Sequence, residues 1–170
     1  MVTYEAIDNI AGNRSPLDAQ LAEAISGVVH SAIGAMDLGN YSAHEREFIA
    51  SWWPPERIVE LSRGSFLVIA REGEELIGSG MIVPEELWQV RMLYVSPEFQ
   101  RGGVGSNILQ RLEDAAMRHG VQAVRLETFL GSPSQVFYEK NGWVASPGCI
   151  RHNIGSEVTY RCMAMEKLLP

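Results

Sequence analysis

The spacing of apolar residues predicts two helical stretches in the first third of the chain. After residue 16, apolar side chains recur every three or four positions, as on one face of a helix. They are Leu17, Leu21, Ile25, Val28 and Val29. The segment Ser15-Pro16-Leu17-Asp18 has the residues of a helix start, with a capping serine, an early proline and an aspartate at the positive end. We expect this helix to end near residues 34–39, and a second helical stretch over 42–62 to break at Pro54-Pro55.

Shorter apolar runs bounded by turn residues predict the strands. They cover residues 2–8, 65–71, 75–83, 87–95, 121–128, 143–145 and 157–168. Apolar spacing also predicts a helix from residue 104 to His119-Gly120, and Ser132-Pro133-Ser134-Gln135 has the pattern of a capping box that opens a short helix. The order β-α-α-β-β-β-α-β-α-β-β indicates one mixed α/β domain over residues 1–170.

The composition is that of an acidic globular protein. The 170 residues are 46% hydrophobic, and 21 acidic residues against 14 Lys and Arg residues give a net charge of −7. Nucleic-acid binding through phosphates requires a basic surface, so we exclude it, whereas an amine fits this charge. No apolar run reaches the roughly 20 residues of a membrane span, and the first residues lack the pattern of a secretory signal. We therefore expect a cytoplasmic protein without a membrane partner.

The cysteines and histidines follow no pattern of disulfides or metal ligands. Cys149 and Cys162 are too few for a disulfide framework, and we expect both to be reduced thiols. The four histidines, at positions 30, 44, 119 and 152, lack the spacing of a metal site. We therefore predict neither a metal nor a cysteine nucleophile.

Three glycines lie where the helix after residue 103 is predicted to begin. Gly102 and Gly103 follow Arg101 directly, and Gly105 comes after Val104. Glycine lets the backbone approach a ligand closely, and a helix start offers unpaired N–H groups and a partial positive charge. Because Arg101 adds a formal positive charge, the loop predicts a diphosphate ligand. The alternative is a glycine-rich turn that binds nothing.

Two common phosphate-binding motifs are excluded at this loop. A P-loop requires a lysine after its glycines, and none follows here. A dinucleotide fingerprint requires a third glycine, but Gly103-Val104-Gly105 is followed by Ser106-Asn107-Ile108, and no βαβ unit surrounds it.

The glycine loop instead resembles the acetyl-CoA-binding motif of the GCN5-related N-acetyltransferase (GNAT) family. Within Leu93-Tyr94-Val95-Ser96-Pro97-Glu98-Phe99-Gln100-Arg101-Gly102-Gly103-Val104-Gly105, Gln100, Gly103 and Gly105 match the family's [Gln/Arg]-x-x-Gly-x-[Gly/Ala]. Phe137-Tyr138-Glu139-Lys140-Asn141-Gly142-Trp143 resembles the family's helix-to-strand passage. The order of elements also agrees over nearly the whole chain.

The resemblance implies a fold, a cofactor and a partner. It implies a mostly antiparallel sheet whose central strands, 87–95 and 121–128, splay apart around the pantetheine arm of acetyl-CoA. The cofactor-binding residues that it implies are Leu93, Tyr94, Val95, Gln100, Arg101, Gly102, Gly103, Val104, Gly105, Ser106 and Ser132. Ser132 stands near the position where many members carry an asparagine that contacts the cofactor. The implied partner is a small-molecule or peptide amine, and a homodimer is left open.

Two residues are candidates for proton transfer. The resemblance implies that Tyr138 protonates the leaving thiolate and that Glu127 accepts the amine proton. Tyr138 could instead be a packed aromatic residue. Glu127 could form an ion pair with Arg125, which shares its strand face. Glu85 and Glu86, in the turn before the central strand, are rival bases.

Three functions compete at this stage. The first is direct acetyl transfer from acetyl-CoA to an amine, without an acetyl-enzyme. The others are a non-catalytic acyl-CoA-binding or sensor domain, and an aminoacyl or succinyl transferase on the same fold. The presence of Tyr138 favours catalysis. The acceptor should contact the helices within residues 16–63, where Trp52 and Trp53 either pack in the core or line the acceptor pocket.

Overall fold

The computed structural model describes residues 1–12, 15–37, 39, 41–148, 150–154 and 158–170. The strands are β1 (Val2–Asp8), β2 (Phe66–Glu72), β3 (Glu75–Val83), β4 (Trp88–Val95), β5 (Ala123–Phe129), β6 (Val144–Ala145), β7 (Ile150–Ile154) and β8 (Val158–Leu168). The helices are α1 (Ala19–Ala35), α2 (Ala43–Ala50), α3 (Pro55–Ser62), α4 (Val104–Arg118) and α5 (Pro133–Lys140). A 3-10 turn over Pro97–Phe99 leads into the glycine loop. None of the helices in the described ranges combines the length and apolar character that crossing a bilayer demands.

The strands of the described residues form one sheet in the order β1-β2-β3-β4-β5-β8-β6, with β7 also paired to β8. Every pairing is antiparallel except that between β4 and β5, which is parallel. The α/β fold and the mixed, mostly antiparallel sheet are therefore confirmed.

Two apolar layers cover the sheet, one on each face. Alternation along β2 sends Leu67 and Ile69 into the layer formed with α1, α2 and α3, and sends Val68 and Ala70 into the layer formed with α4. All four side chains are almost fully buried. A strand that is covered on both faces carries a continuous apolar run, which explains why the sequence pattern identified β2 so clearly.

The first helix begins later than the sequence pattern predicts. The Asp18 carboxylate accepts a hydrogen bond from the Leu21 N–H at 2.9 Å, so Asp18 caps α1 and the predicted cap at Ser15 is wrong. Leu17, just before the cap, is buried in the same apolar cluster as Ala22 in the first turn. This hydrophobic staple fixes the point at which the chain enters the helix.

The stretch over 42–62 divides into α2 and α3 just before Pro55, as predicted. Ser42 and Glu45 form a complete capping box at the start of α2, with the Glu45 N–H donating to Ser42 Oγ at 3.2 Å and the Ser42 N–H donating to Glu45 Oε2 at 2.7 Å. Pro55 occupies the first turn of α3, where its missing N–H costs nothing.

The capping box predicted for α5 does not form. The Ser132 hydroxyl donates backwards to the Phe129 carbonyl at 2.7 Å, and Gln135 Oε1 accepts from the Gly131 N–H at 3.1 Å. Ser132 is still the residue before the helix, but its hydroxyl closes the β5–α5 turn instead of capping α5.

One carboxylate is buried in the layer beneath α4. Glu113 on α4 is 3% exposed, and its two oxygens accept hydrogen bonds from Trp143 Nε1 at 2.9 Å and from Lys167 Nζ at 2.7 Å. Lys167 also donates to the Asn141 carbonyl at 2.9 Å. This network ties α4 to β8 and to the turn after α5, so removing one partner leaves an uncompensated charge.

The sequence pattern does not predict strand β7, because residues 151–153 are polar and lack apolar alternation. The predicted strand over 157–168 corresponds to β8, with Glu157 outside the described residues. Pairing aligns His152 with Tyr160 and Phe129 with Cys162. Since paired residues share a sheet face, these four side chains and that of Glu127, two residues before Phe129, point to the same side of the sheet.

Candidate active site

The central feature of the site is a gap between the parallel strands β4 and β5. The two strands pair only from Trp88 to Val90 on β4, opposite Val124 to Leu126 on β5. Beyond that point, β4 stays paired with β3 as far as Val95, and β5 stays paired with β8 as far as Phe129. The strands therefore separate towards their carboxyl ends, which confirms the splay that the family resemblance implied.

A β-bulge in β4 accompanies this separation. Ser79 pairs with Tyr94 and Met81 pairs with Arg91, so two β4 residues stand opposite Gly80 alone. Met92, one of these two, has a φ of 54°, which is rare for a residue other than glycine. Bulges bend and twist the strand that carries them, and this one lies just past the last residue that pairs with β5.

Gly80 allows α4 to pack directly on the bulge. A Cβ at this position would lie 2.6 Å from Ile108 Cγ2 and 3.1 Å from Leu112 Cδ1. Only a glycine therefore fits between β3 and α4 at this level.

The glycine loop follows β4 directly and presents the start of α4. Gly103 precedes the helix with a φ of 83°, and Arg101 is also left-handed with a φ of 64°. The Gln100 side chain donates to the Val95 carbonyl at 2.9 Å, which fixes the loop to the end of β4. The first helical hydrogen bond runs from the Asn107 N–H to the Gly103 carbonyl. The N–H groups of the first turn are thus oriented as anion-binding groups.

Gly102 and Gly105 differ in whether packing within the protein requires a glycine at that position. Gly105 lies under Phe137, since a Cβ there would be 3.4 Å from the Phe137 ring and 3.7 Å from Val95. This packing joins the start of α4 to α5. A Cβ on Gly102 would meet only the Phe99 carbonyl oxygen at 3.6 Å, so packing within the protein does not require a glycine there.

A cavity of about 220 Å³ occupies the gap between β4 and β5. It is lined by Met36, Ile49, Trp52, Trp53 and Arg57 from the helical layer; Gln89, Val90, Arg91, Met92, Leu93 and Tyr94 from β4; Glu127, Thr128 and Phe129 from β5; Ser134 and Tyr138 from α5; and His152, Tyr160 and Cys162 from β7 and β8. The cavity brings together the predicted residues Leu93, Tyr94, Glu127 and Tyr138. The loop from Gln100 to Ser106 lies outside it, beyond the end of β4.

Glu127 is held in the cavity wall by an unpredicted partner. Its Oε2 lies 2.6 Å from His152 Nε2, whereas Arg125, the partner expected from strand alternation, is 3.8 Å from Oε1. The Tyr160 ring stacks on the His152 ring at 5.0 Å between centroids and fixes its orientation. Burial, the neighbouring Cys162 and the Glu127 carboxylate raise the pKa of Tyr160 to about 12. The cavity thus presents a carboxylate–imidazole pair beside a neutral phenol.

Tyr138 is buried and borders the same cavity from α5. Its ring packs edge-on against Phe137 and Trp143, with centroids 5.0 and 6.0 Å away. Burial raises its pKa above the ordinary tyrosine range, and the same cause raises the pKa of Tyr94 on β4. Both phenols therefore remain neutral hydrogen-bond donors at any physiological pH.

The rival bases lie outside this cavity. Glu85 is exposed on the β3–β4 turn and forms an ion pair with Arg91 at 2.9 Å, and Glu86 is exposed next to it. Ser132 is absent from the described lining, although Ser134, the second residue of α5, is part of it. Cys149 lies outside the described residues.

The two tryptophans line the cavity together with a cation. Arg57 lies over both rings, with its guanidinium carbon 4.9 Å from the Trp52 centroid and 5.1 Å from that of Trp53. The aromatic wall from α2 and α3 is thus held by cation–π contacts. Both tryptophans therefore line the cavity, and Trp53 also packs against the apolar cluster of the helical layer.

Sequence reasoning missed His152, Tyr160 and Arg57. His152 and Glu127 are 25 residues apart and sit on strands that are not neighbours in the chain. No spacing rule connects them, and only the pairing of β5, β8 and β7 brings them into contact.

Comparisons with known proteins agree with this architecture. The model of the Acetyltransferase (GNAT) family matches residues 35–143, more than half of the chain. The IAA acetyltransferase of Azospirillum brasilense is 32% identical over 82 residues, which are 46% of this chain and 53% of that protein. The alignment thus spans about half the length of this curated relative.

Two solved structures share the fold over nearly the full length. The PaiA N-acetyltransferase of Thermoplasma acidophilum, in complex with coenzyme A, has a TM-score of 0.75 at 19% identity and covers 98% of this chain and 99% of its own. A GCN5-related N-acetyltransferase from Rhodopseudomonas palustris has a TM-score of 0.79 at 21% identity, covering 91% and 94%. With the splayed strands, the glycine loop and the match over residues 35–143, the chain belongs to the GNAT family of acetyltransferases.

Proposed function

We propose that this protein transfers the acetyl group of acetyl-CoA directly to the nitrogen of an amine. The observation that carries the proposal is the gap between β4 and β5. It begins where the strands stop pairing, at Val90 and Leu126, and leads from the glycine loop to a cavity that holds Glu127, His152 and Tyr138.

The end of the gap next to the glycine loop supports acetyl-CoA as the acetyl donor. The N–H groups at the start of α4 would hold the pyrophosphate, with Arg101 supplying a formal positive charge. The exposed β4 edge beyond Val90, along Leu93, Tyr94 and Val95, would pair with the pantetheine amides. The structural relative from Thermoplasma acidophilum is itself a complex with coenzyme A. Bound acetyl-CoA would supply a thioester carbonyl that is open to attack by an amine.

The cavity end supports an amine as the acceptor. An amine is protonated at neutral pH and must lose a proton before or during attack. Glu127 and His152, 2.6 Å apart, form a proton-accepting pair that is half exposed to the cavity. When the carbon–sulfur bond breaks, the departing sulfur needs a proton or a hydrogen bond. Tyr138 is a neutral donor in the lining of the same cavity and can provide it.

The lining also indicates the shape of the acceptor. Trp52, Trp53, Phe129 and Tyr160 give the cavity aromatic walls, and a chain with a net charge of −7 favours a neutral or cationic ligand. We propose an amine attached to a flat or apolar body that stacks on these rings.

The test is release of free thiol from acetyl-CoA across a panel of aliphatic, aromatic and peptide amines, with alcohols as the non-amine control. We expect turnover with at least one amine and none with the alcohols. Glu127→Gln should abolish most of it. Glu86→Gln, the same change on an exposed glutamate of the β3–β4 turn, should not alter it. Binding of acetyl-CoA without turnover by any amine would favour the non-catalytic acyl-CoA-binding domain instead.

A further inference from the structure

Three different metal-ligand groups meet in the wall of the cavity. A carboxylate oxygen of Glu127, a ring nitrogen of His152 and the sulfur of Cys162 all lie within 4.8 Å of one another. The three residues come from β5, β7 and β8, and the strand register places them on one face of the sheet. Cys162 is buried at the bottom of the group, whereas Glu127 and His152 are half-buried and face the cavity.

We propose that Glu127, His152 and Cys162 form a binding site for Zn²⁺. Zinc bonds of about 2.0–2.3 Å to oxygen, nitrogen and sulfur place tetrahedral ligands roughly 3.3–3.8 Å apart. The Glu127 and His152 atoms, now 2.6 Å apart, have to separate by less than 1 Å. The sulfur, now within 4.8 Å of the other two atoms, has to approach by about 1.5 Å at most. Both movements are within the range of side-chain rotation.

Binding of Zn²⁺ displaces protons from the ligand groups. Zn²⁺ displaces the proton between Glu127 and His152, which moves to Nδ1 of the same ring or leaves to solvent, and Cys162 releases its thiol proton to solvent as the sulfur–zinc bond forms. Three protein ligands leave the fourth tetrahedral position open, and here that position faces the cavity. A water molecule would complete the coordination.

The donor set selects the kind of cation. One thiolate, one imidazole and one carboxylate suit borderline metals such as Zn²⁺ and Co²⁺. Mg²⁺ and Ca²⁺ require six or more oxygen ligands, which this group does not offer. The surroundings also hold the ligands in place, because Tyr160 stacks on His152 at 5.0 Å and Phe129 packs against Tyr160 at 5.5 Å.

This site goes beyond the proposed acetyl transfer and does not depend on it. If the proposed function is also correct, bound Zn²⁺ occupies the proton-accepting pair. Zinc should then inhibit turnover competitively with the amine, without weakening the binding of acetyl-CoA.

The experiment is titration of the metal-free full-length protein with Co²⁺ alone, followed by absorption spectroscopy, and with Zn²⁺ in competition. We expect one Co²⁺ per chain, with a near-ultraviolet thiolate-to-cobalt band and the intense visible bands of four-coordinate cobalt. Zn²⁺ should displace both. Cys162→Ser should remove the thiolate band, whereas Cys149→Ser, which changes the other thiol of the chain, should keep it.

A second pair of variants covers the case in which Cys162→Ser, at a buried position, fails to fold. His152→Ala should weaken Co²⁺ binding by more than the roughly 10–100-fold that loss of an outer-shell partner causes. His30→Ala, on the exposed face of α1, should leave binding unchanged. Co²⁺ binding without a thiolate band, a band that survives Cys162→Ser, or equal affinity in His152→Ala would each overturn the site. Turnover of the metal-free enzyme, assayed with a chelator, tests the proposed function separately.

Discussion

The placement of the cofactor pyrophosphate on the glycine loop can be tested with a matched pair of variants. Gly103 precedes α4 with a φ of 83°, and Gly120 follows it with a φ of 75°. A Cβ at Gly103 would have one neighbour, Asn107 Nδ2 at 3.8 Å, and a Cβ at Gly120 would have none within 4 Å. Replacing either glycine with glutamate therefore imposes the same backbone strain, about 1–2 kcal/mol, and no steric clash.

The two variants differ in how the new charge meets the helix dipole. A carboxylate stabilises a helix N-terminus and destabilises a C-terminus, by about 0.3–1 kcal/mol in each case. Gly103→Glu should therefore lose less of the free energy of unfolding than Gly120→Glu. Urea unfolding of both proteins measures this order.

For acetyl-CoA affinity we expect the opposite order, with Gly103→Glu losing more than Gly120→Glu. At Gly103 the glutamate side chain would stand where the phosphates approach the N–H groups of α4. One lost hydrogen bond to a charged group costs about 1.5–3 kcal/mol, which is roughly 10- to 150-fold in Kd, and charge repulsion adds to this loss. Calorimetry should give at least about tenfold weaker binding for Gly103→Glu and wild-type affinity for Gly120→Glu. Unchanged binding in Gly103→Glu, or equal losses in the two variants, would refute the placement.

Three further predictions concern proton transfer and stability. Tyr138→Phe should lower kcat by roughly 10²–10⁴-fold and leave acetyl-CoA affinity nearly intact, as measured by steady-state kinetics and calorimetry, and full activity would make Tyr138 a packing residue only. Glu127→Gln should remove the rise of the rate with pH, because the acceptor of the amine proton is lost; an unchanged pH–rate profile would exclude Glu127 as that acceptor. Glu113→Ala should lower the free energy of unfolding by about 3–5 kcal/mol, because its buried partners lose their counter-charge, and a urea-unfolding loss below 1 kcal/mol would contradict this.

A last prediction follows from the raised pKa values of the buried phenol Tyr138 and the partly buried phenols Tyr94 and Tyr160. In the unfolded chain tyrosines ionise near pH 10, whereas in the folded protein they keep their protons to higher pH. The stability that they contribute is thus fully present below about pH 10 and is lost as the pH rises above it. Urea unfolding from pH 8 to 11.5 should show a constant free energy of unfolding followed by a decline. A free energy of unfolding that increases above pH 10 would contradict the burial of these side chains.

Elements whose signals are local can be read from the amino-acid sequence alone. The apolar run of β2, the turn at Gly73 between β2 and β3, and the capping pair Ser42 and Glu45 each act within a few residues. The glycine loop is local as well, because a helix start needs only its own unpaired N–H groups to bind an anion. The family resemblance rests on that loop, on the segment 137–143 and on the order of the elements, so the fold and the expected cofactor could be predicted.

Features that depend on strand pairing arise only when the chain folds. The sequence does not encode locally where β4 leaves β5, since the divergence lies between Val90 and Arg91 with no breaking residue there. Strand β7 has no apolar alternation and exists because β8 offers it an edge.

The contacts in the cavity wall show most clearly how strand pairing builds the site. Alternation along β5 offers Arg125 as an ion-pair partner of Glu127, and it lies 3.8 Å away, but the nearer partner is His152, 25 residues further along the chain. Neither His152 nor Cys162 has a neighbour in sequence that marks it as part of a site. Their contact arises because β5, β8 and β7 pair in one register, and a shift of that register by one residue would turn these side chains to the opposite face of the sheet.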